Sequence, residues 1–409
     1  MKIKLIISGL LYSLIFSQFS SNTLNGFGNN SRIVYPSSEA MGGMWLYNGK
    51  LDDWSPVLAS SIYKTKFTMI AIGNSFEAIS LYDYTANNHL IDLISFSFPT
   101  GKYSGFGVSL SPYARTGHYI EDEKYSFIKG TAYSSPLASK NFYNIKGGIS
   151  KLSISFSKGL MNEFISLGFK WNILFGNQEV STTTTLAEVI YSQDGDQSFL
   201  SKESIYNYEF NHFNAYSYEL DSRFNFQKHS LSFLINLLDN FKIDQYESIQ
   251  LYSIENDYSF DKIILDEFGV GYMYSNNDSY GIAAEIHLKN KMEYHEEIML
   301  FDSFSPSKVS FHNGFYKIIN NPNLDSWNSI NFSTGYAYKI ISFEDSNLQD
   351  MSFSLGFSIT FNNYKNNVDL SMTVGSRQSI IETLDNENYY KINLAISSGD
   401  KWFDKQRRK

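Results

Sequence analysis

Cysteine is absent from the 409 residues, so no disulfide framework holds the fold and no lipid can be attached at a new N-terminal cysteine. Charge is scarce as well: 18% of the residues are Asp, Glu, Lys or Arg, against about 25% in an ordinary soluble chain. The charge present leans acidic, 42 Asp and Glu against 33 Lys and Arg for a net −9, which repels nucleic acid and excludes a DNA or RNA partner. The 26 glycines follow no period, which excludes collagen, and few stretches carry a heptad, which excludes a coiled coil. Beyond the first residues no run of about 18 apolar residues occurs, so helical membrane spans are not expected. What is abundant is aromatic: 33 Phe and 30 Tyr help to bring the aromatic share to 17%, a load that excludes disorder. The chain also exceeds the roughly 250 to 300 residues at which a single soluble core stops growing.

The first residues read as an address. Lys2 and Lys4 form a charged start, Leu5 to Phe16 an apolar stretch, and Ser17 to Ser21 a small, polar exit, the order of a secretory signal peptide. Residues 1–20 are therefore expected to be removed on export. A lone membrane anchor is the alternative, but the apolar stretch is shorter than the roughly 20 residues a spanning helix needs.

Period-two alternation fills the rest. Phe106, Val108 and Leu110 alternate with glycine and serine, and so do Leu152, Ile154 and Phe156. The same grammar returns in Ile165 to Ile173, Tyr280 to Leu288, Phe353 to Phe361 and Tyr390 to Ile396. One face is apolar and aromatic, the other small and polar with an occasional Lys, Glu or Asp, which is strand patterning. Runs of about nine to eleven residues match a tilted strand crossing a bilayer better than the five or six of a soluble strand. The expected fold is all-β: a transmembrane antiparallel β-barrel of about 14 strands, an even number as such barrels require. A soluble β-sandwich with shorter strands, or a β-solenoid, is the competing fold. Connections such as Tyr274 to Ser279 and Asn362 to Asn367 read as tight turns, whereas Gln178 to Ser204 and Asp239 to Asp261 read as long, polar, acidic loops, with Thr182 to Thr185 opening the first.

Residues suited to catalysis are sparse. The seven histidines are scattered, His295-Glu296-Glu297 lacks the second histidine of a zinc-protease helix, and neither a Gly-x-Ser-x-Gly elbow nor a phosphate-binding glycine loop is present. No enzymatic activity, metal or cofactor is expected.

Two segments depart from strand grammar. Asn25 to Leu58 is rich in Gly and Asn and contains Met41-Gly42-Gly43-Met44 and Pro56; it suits a plug folded inside the barrel, or equally a flexible leader. In Pro99 to Tyr119, Pro112 interrupts a strand that also holds Gly105 and Gly107. Proline cannot donate to a ladder and glycine marks bulges, so this strand is expected to bend or break, or simply to end at Pro112.

In that order these features resemble the FadL-like outer-membrane transporters of hydrophobic compounds, in particular the divergent branch of the Bacteroidetes and neighbouring phyla. Met41 to Gly43 is similar to the family's N-terminal small-residue motif, and Ser55-Pro56-Val57-Leu58 sits where members carry Asn-Pro-Ala, a small residue and Leu. Gly107 to Tyr113 resembles the family's strand ending in Pro-Tyr-Ser, with Ala114 where Ser is common, and Asp266 stands at a position often held by Pro. Gly147-Gly148-Ile149, Leu174-Phe175-Gly176 and the ending Ile396 to Phe403 also match, followed by a basic tail at 404–409.

The resemblance implies a hatch over residues 21–60, with Met41, Gly42, Gly43, Met44 and Pro56 in it, inside a barrel over 61–403. It implies a broken strand at Gly105, Gly107 and Pro112 that opens sideways, so that a fatty-acid-like solute passes from the lumen into outer-membrane lipid. Barrel-assembly machinery would read the last strand. A surface docking barrel, like the FadL-related shuttle barrel of type IX secretion, and a general porin are the competing functions.

Overall fold

The computed structural model describes residues 35–47, 54–81, 84–121, 125–127, 137–191, 197–249, 252–260, 263–276, 279–290, 292–293, 303–305, 307–321, 327–342, 347–362, 364–379 and 386–401. The expected signal peptide, the first part of the expected hatch, the His295 to Glu297 cluster and the tail with Phe403 lie outside them.

The wall begins with β1 (Thr68–Leu81), β2 (Tyr84–Gly101), β3 (Ser104–Glu121), β4 (Leu137–Leu160), β5 (Ile165–Tyr191), β6 (Gln197–Phe226) and β7 (His229–Ile249). It continues with β8 (Ile264–Asn276), β9 (Tyr280–Lys289), β10 (Ser307–Asn320), β11 (Ser329–Ser342), β12 (Asn347–Phe361), β13 (Asn366–Ser379) and β14 (Glu387–Asp400). These 14 strands are antiparallel and each pairs with its neighbours along the chain. Pairing of β14 with β1, from Thr68↔Asp400 to Ser80↔Asn388, closes the ring. Hydrocarbon offers backbone groups no hydrogen bonds, and a closed ladder is the way strands satisfy them there. An even strand number returns the chain to its starting side, so Thr68 and Asp400 share one end with the tight turns at 101–104, 160–165, 226–229 and 276–280.

The alternation sorts the two faces. Ile72, Phe76, Phe156, Leu167, Leu220, Ile282, Ile286, Phe353, Leu355, Ile392 and Ile396 point outward and are exposed, while the Ser, Gly, Asn, Glu and Lys between them are buried. Apolar surface in water costs about 25 cal/mol per Å², so an outer face of this composition is stable only against lipid. Near the tight turns the belt becomes aromatic: Phe98 lies 5.2 Å from Phe106, Phe106 lies 5.1 Å from Phe156, and Phe164 meets Phe226 edge-on at 5.0 Å. Such a girdle marks a membrane interface.

Wall height departs from expectation. β4, β5, β6 and β7 have 24, 27, 30 and 21 residues, far beyond the 9 to 11 or so that a tilted strand needs to cross a bilayer. The stretches read as loops are strand: Gln178 to Tyr191 continues β5, Gln197 to Ser204 opens β6, and Asp239 to Ile249 continues β7, with a further strand at Tyr252–Phe260 paired to it. Thr182 to Thr185 opens no loop; these residues pair with Ser204 to Asn207. Their composition misleads because a sheet projecting into water is polar on both faces, while β-branched threonine still favours the extended backbone.

Candidate functional site

Residues 35–47 and 54–67 lie within the wall, against its inward side chains. The first stretch opens with a short helix, Pro36–Glu39, with proline at its start where no backbone donor is needed. Gly42 and Gly43 follow at φ +85° and +72°, a region that side chains other than glycine resist. A Cβ on Gly42 would fall 2.6 Å from the Tyr336 carbonyl oxygen, and one on Gly335 of β11 only 2.0 Å from the Met41 carbonyl carbon. Backbone therefore meets backbone here without side chains between. Met41 and Met44 are fully buried, in one cluster with Leu46, Tyr47, Leu58, Leu234, Met273 and Tyr316.

Charged wall residues hold this stretch by its backbone. Glu285 on β9 accepts the N–H groups of Trp45 (2.8 Å) and Leu46 (2.9 Å) and pairs with His287 Nε2 at 2.8 Å. His312 Nδ1 donates to the Gly42 carbonyl at 2.6 Å, and Arg223 donates to the Leu46 carbonyl and lies over the Tyr47 ring. The second stretch, with a 3₁₀ turn at Ala59–Lys64, is held similarly. Ser60 N–H donates to Asp221 at 2.8 Å, Tyr63 N–H to Ser157 Oγ at 3.1 Å, and Lys170, paired with Glu219 at 2.6 Å, donates to the Val57 carbonyl. Pro56 is buried within this stretch. A hydrogen bond to a charged group contributes about 1.5 to 3 kcal/mol, and these charges sit where an unsatisfied one would be costly.

Gly105 and Gly107 lie beside the same stretch, in the paired part of β3: they face Pro99 and Ser97 on β2, and Ser157 and Ser155 on β4. A Cβ on Gly105 would fall 2.8 Å from Ile62, so its smallness makes room for the inner chain.

Pro112 lies elsewhere. β3 runs unbroken through it, but Tyr113 is an extra residue in the ladder to β4, which passes from Pro112↔Ser150 to Ala114↔Ile149. On the other flank, pairing with β2 stops at Ile94↔Leu110. Beyond that point β2 bonds only to β1 and β3 only to β4 among the described residues. β2 carries its own bulge at Asp92, between Ile91↔Asn74 and Leu93↔Gly73. Two bulged strands thus diverge, leaving a seam in the wall. Tyr113 turns inward and joins an apolar cluster with Ile149, Leu174, Phe213, Leu238, Phe241 and Ile243.

From β8 round to β1 the lumen instead carries a ladder of charge. Glu267 stands opposite Lys289, Lys289 opposite Lys308, Lys339 opposite Asp350, Asp350 opposite Arg377, and Arg377 opposite Glu387. Arg377 reaches Glu77 at 3.2 Å and Glu387 at 3.4 Å, and its guanidinium lies 4.2 Å from the centroid of the Tyr389 ring. Asp266, in a bulge of β8, accepts from Asn236 at 2.8 Å and Tyr113 at 3.3 Å. Neither the clamps nor the ladder was singled out in the sequence; the one signal was charge recurring at inward positions of otherwise small, polar strand faces. Among the described residues no three His, Asp or Glu side chains are grouped to hold a metal ion.

A closed antiparallel barrel of 14 strands is the architecture of FadL-type transporters. Solved structures of that kind align over most of their length: the CymD monoaromatic hydrocarbon channel (13% identity, 90% of this chain, 98% of that one, TM-score 0.53) and a TodX monoaromatic hydrocarbon channel mutant (12%, 90%, 99%, 0.57). The Pseudomonas putida toluene transporter TodX is similar at 11% identity over 90% of this chain and 98% of its own, with a TM-score of 0.50. No curated protein matches the chain. By sequence, the chain belongs to the BamG family, whose model matches residues 1–409.

Proposed function

We propose that this chain is a bacterial outer-membrane channel, exported by a cleaved signal peptide, through which hydrophobic small molecules pass passively from the lumen sideways into the bilayer. Residues 21–60, with Met41, Gly42, Gly43, Met44 and Pro56, act in this reading as a fixed hatch that blocks the straight path. The observation that carries it is the seam beyond Ile94 and Leu110 with the apolar Tyr113 cluster at its inner side. A lipophilic solute leaving through the wall keeps its apolar surface out of water, at about 25 cal/mol for each Å² not wetted. The structural neighbours named for monoaromatic hydrocarbons support a solute of that polarity, and the family resemblance a fatty-acid-like one. No catalytic step or cofactor enters the reading, and the last strand would be the element recognised during barrel assembly.

The absence of native cysteine makes the test direct. Leu93→Cys with Ser111→Cys would cross-link the first positions beyond the last paired residues. Uptake of toluene into liposomes should fall on oxidation and return on reduction; uptake indifferent to the cross-link would overturn the lateral route.

A second reading, a surface barrel that docks a partner protein, is favoured by the tall sheet of β4 to β7. Its outer strand Tyr252–Phe260 pairs with β7 alone among the described residues, and such an edge is a template for another chain. Recovery of a stoichiometric partner with the wild type, lost on deleting 250–262, would favour docking over transport.

A further inference from the structure

In the tall sheet, beyond the membrane belt, two carboxyl groups face the lumen side with no base to answer them. Glu209 of β6 stands directly opposite Glu247 of β7. The same row continues through Val180 and Ile145 on one flank and Ile254 on the other. Like charges opposed across a ladder destabilise it, and neither glutamate makes an ion pair among the described residues. The groups beside them are amides. One inward position nearer the membrane, Gln178, Asn211 and Gln245 stand opposite one another on β5, β6 and β7. Asn211 Nδ2 donates to Glu209 Oε1 at 2.6 Å and Gln245 Nε2 to the same oxygen at 2.9 Å, so Oε2 has no partner among the described residues. One inward position further from the membrane, Asn207 Nδ2 donates to Glu247 Oε1 at 3.5 Å. Asn211 is 5% exposed, yet its Oδ1 has no hydrogen-bond partner among the described residues, and neither has the buried Oδ1 of Asn207. Orphaned buried oxygens of this kind are costly. Glu247 is only half-buried, which opens the row to lumen water.

We propose that Glu209, Glu247, Asn211 and Asn207 form a calcium-binding site. Two carboxylates balance the charge of a divalent cation, and every group on offer is an oxygen, the donor that hard cations take. A half-turn of the Asn211 amide sets Oδ1 where Nδ2 now stands, beside Glu209. An oxygen facing a carboxylate is stable there only with a cation between them, and the same turn gives the orphaned oxygen its partner. Calcium accepts about six to eight oxygens in loose geometry and completes its shell with water, whereas magnesium demands a near-ideal octahedron that ligands spread over two strands do not preset. A site of this kind leaves no spacing motif in the sequence, because its ligands come from facing strands. The bound ion ties β6 to β7 at the height where the outer strand Tyr252–Phe260 is attached to β7. The site is independent of the transport reading.

The refolded mature chain in an uncharged detergent is stripped with a chelator and titrated calorimetrically with calcium chloride and, separately, with magnesium chloride. Calcium should bind with a Kd on the order of 10⁻⁴–10⁻³ M, the range of extracellular calcium modules, and roughly tenfold more tightly than magnesium. Glu209→Gln and Glu247→Gln keep the shape of the side chain and remove one charge; each should weaken binding roughly tenfold. Asn211→Asp, which raises the charge of the ligand set, should tighten it. Glu179→Gln, on the opposite face of β5 and paired with Lys146 at 3.2 Å, should leave it unchanged. The wild type supplies a second readout that needs no variant: calcium should slow hydrogen exchange at the amides of 207–211 and 243–247, and the chelator should restore it, while Tyr280 to Leu288 stay as they were. Absence of saturable binding, undiminished binding by a folded Glu209→Gln, or exchange indifferent to calcium overturns the site. Equal affinity for magnesium overturns the assignment to calcium. If the two glutamates instead share a proton, calcium gives no binding heat and Glu209→Gln slows exchange by itself, which also overturns the site.

Discussion

Above the inner chain, the two sides of the lumen differ in what lines them and in how the wall is joined. From β8 round to β1, charged residues line the wall, with acid opposite base at Glu267↔Lys289, Lys339↔Asp350, Asp350↔Arg377 and Arg377↔Glu387, and the ladders run nearly the whole length of each strand. From β3 to β7 the lining at the bulge is Tyr113, Ile149, Leu174, Phe213, Phe241 and Ile243, and one flank of β3 is unpaired beyond Leu110. Charge pairs have directions and lock strands in place, whereas apolar contacts are non-directional and let a neighbouring solute slide. In the proposed channel these would be the fixed wall and the escape route, separated within one ring.

Removing material from the apolar side should do the most damage. Phe213→Ala deletes a buried ring in contact with Phe241, 6.4 Å between centroids, and should cost about 3 to 5 kcal/mol, read as a lower unfolding midpoint of the refolded barrel. On the charged side, Glu285→Ala strands the N–H groups of Trp45 and Leu46. It should loosen the inner chain by about 2 to 3 kcal/mol, seen as faster hydrogen exchange at those two amides while the wall amides stay protected. If both substitutions lowered only the global midpoint, the division of labour would be lost.

A smaller effect tests close packing. Gly335→Ala places a methyl 2.0 Å from the Met41 carbonyl carbon and should cost about 1 to 3 kcal/mol, whereas Gly73→Ala, whose nearest neighbour would be Leu93 Cβ at 3.5 Å, should be tolerated. Exchange at Met41 to Met44 distinguishes the two. The smallest change in stability is expected for Pro112→Val, within about 0.5 kcal/mol, because it restores a backbone donor that proline lacks. Its expected signature is reduced uptake with an intact barrel; unchanged uptake would detach the seam from Pro112.

Much of the wall was legible because its signal is local and repeats. Tyr280 to Leu288 alternates without fault, and the structure places Ile282 and Ile286 outside with Glu285 and His287 inside. The tall strands were not legible, since the alternation of one lipid face ends where the sheet enters water and Thr182 to Thr185 then looks like loop. At the site, Pro112 pointed to an irregularity in the right strand, yet the irregularity is a bulge and a parting of two strands, half of it contributed by Asp92, which carries no local mark. Asp266 stood out as a departure from a family position; its reason appears once Tyr113, Asn236 and Lys289 are seen around it.

Period-two patterning, low charge and aromatic load pointed to an all-β barrel with an apolar belt, because the first depends only on residues two apart in the chain and the other two on composition alone. The clamps on the inner chain, the ladder from Glu267 to Glu387 and the seam join residues as far apart as Gly42 and His312, or Arg377 and Glu77. Such pairings depend on strand register and on the closure of the ring, quantities set by the summed ladder rather than by any one segment.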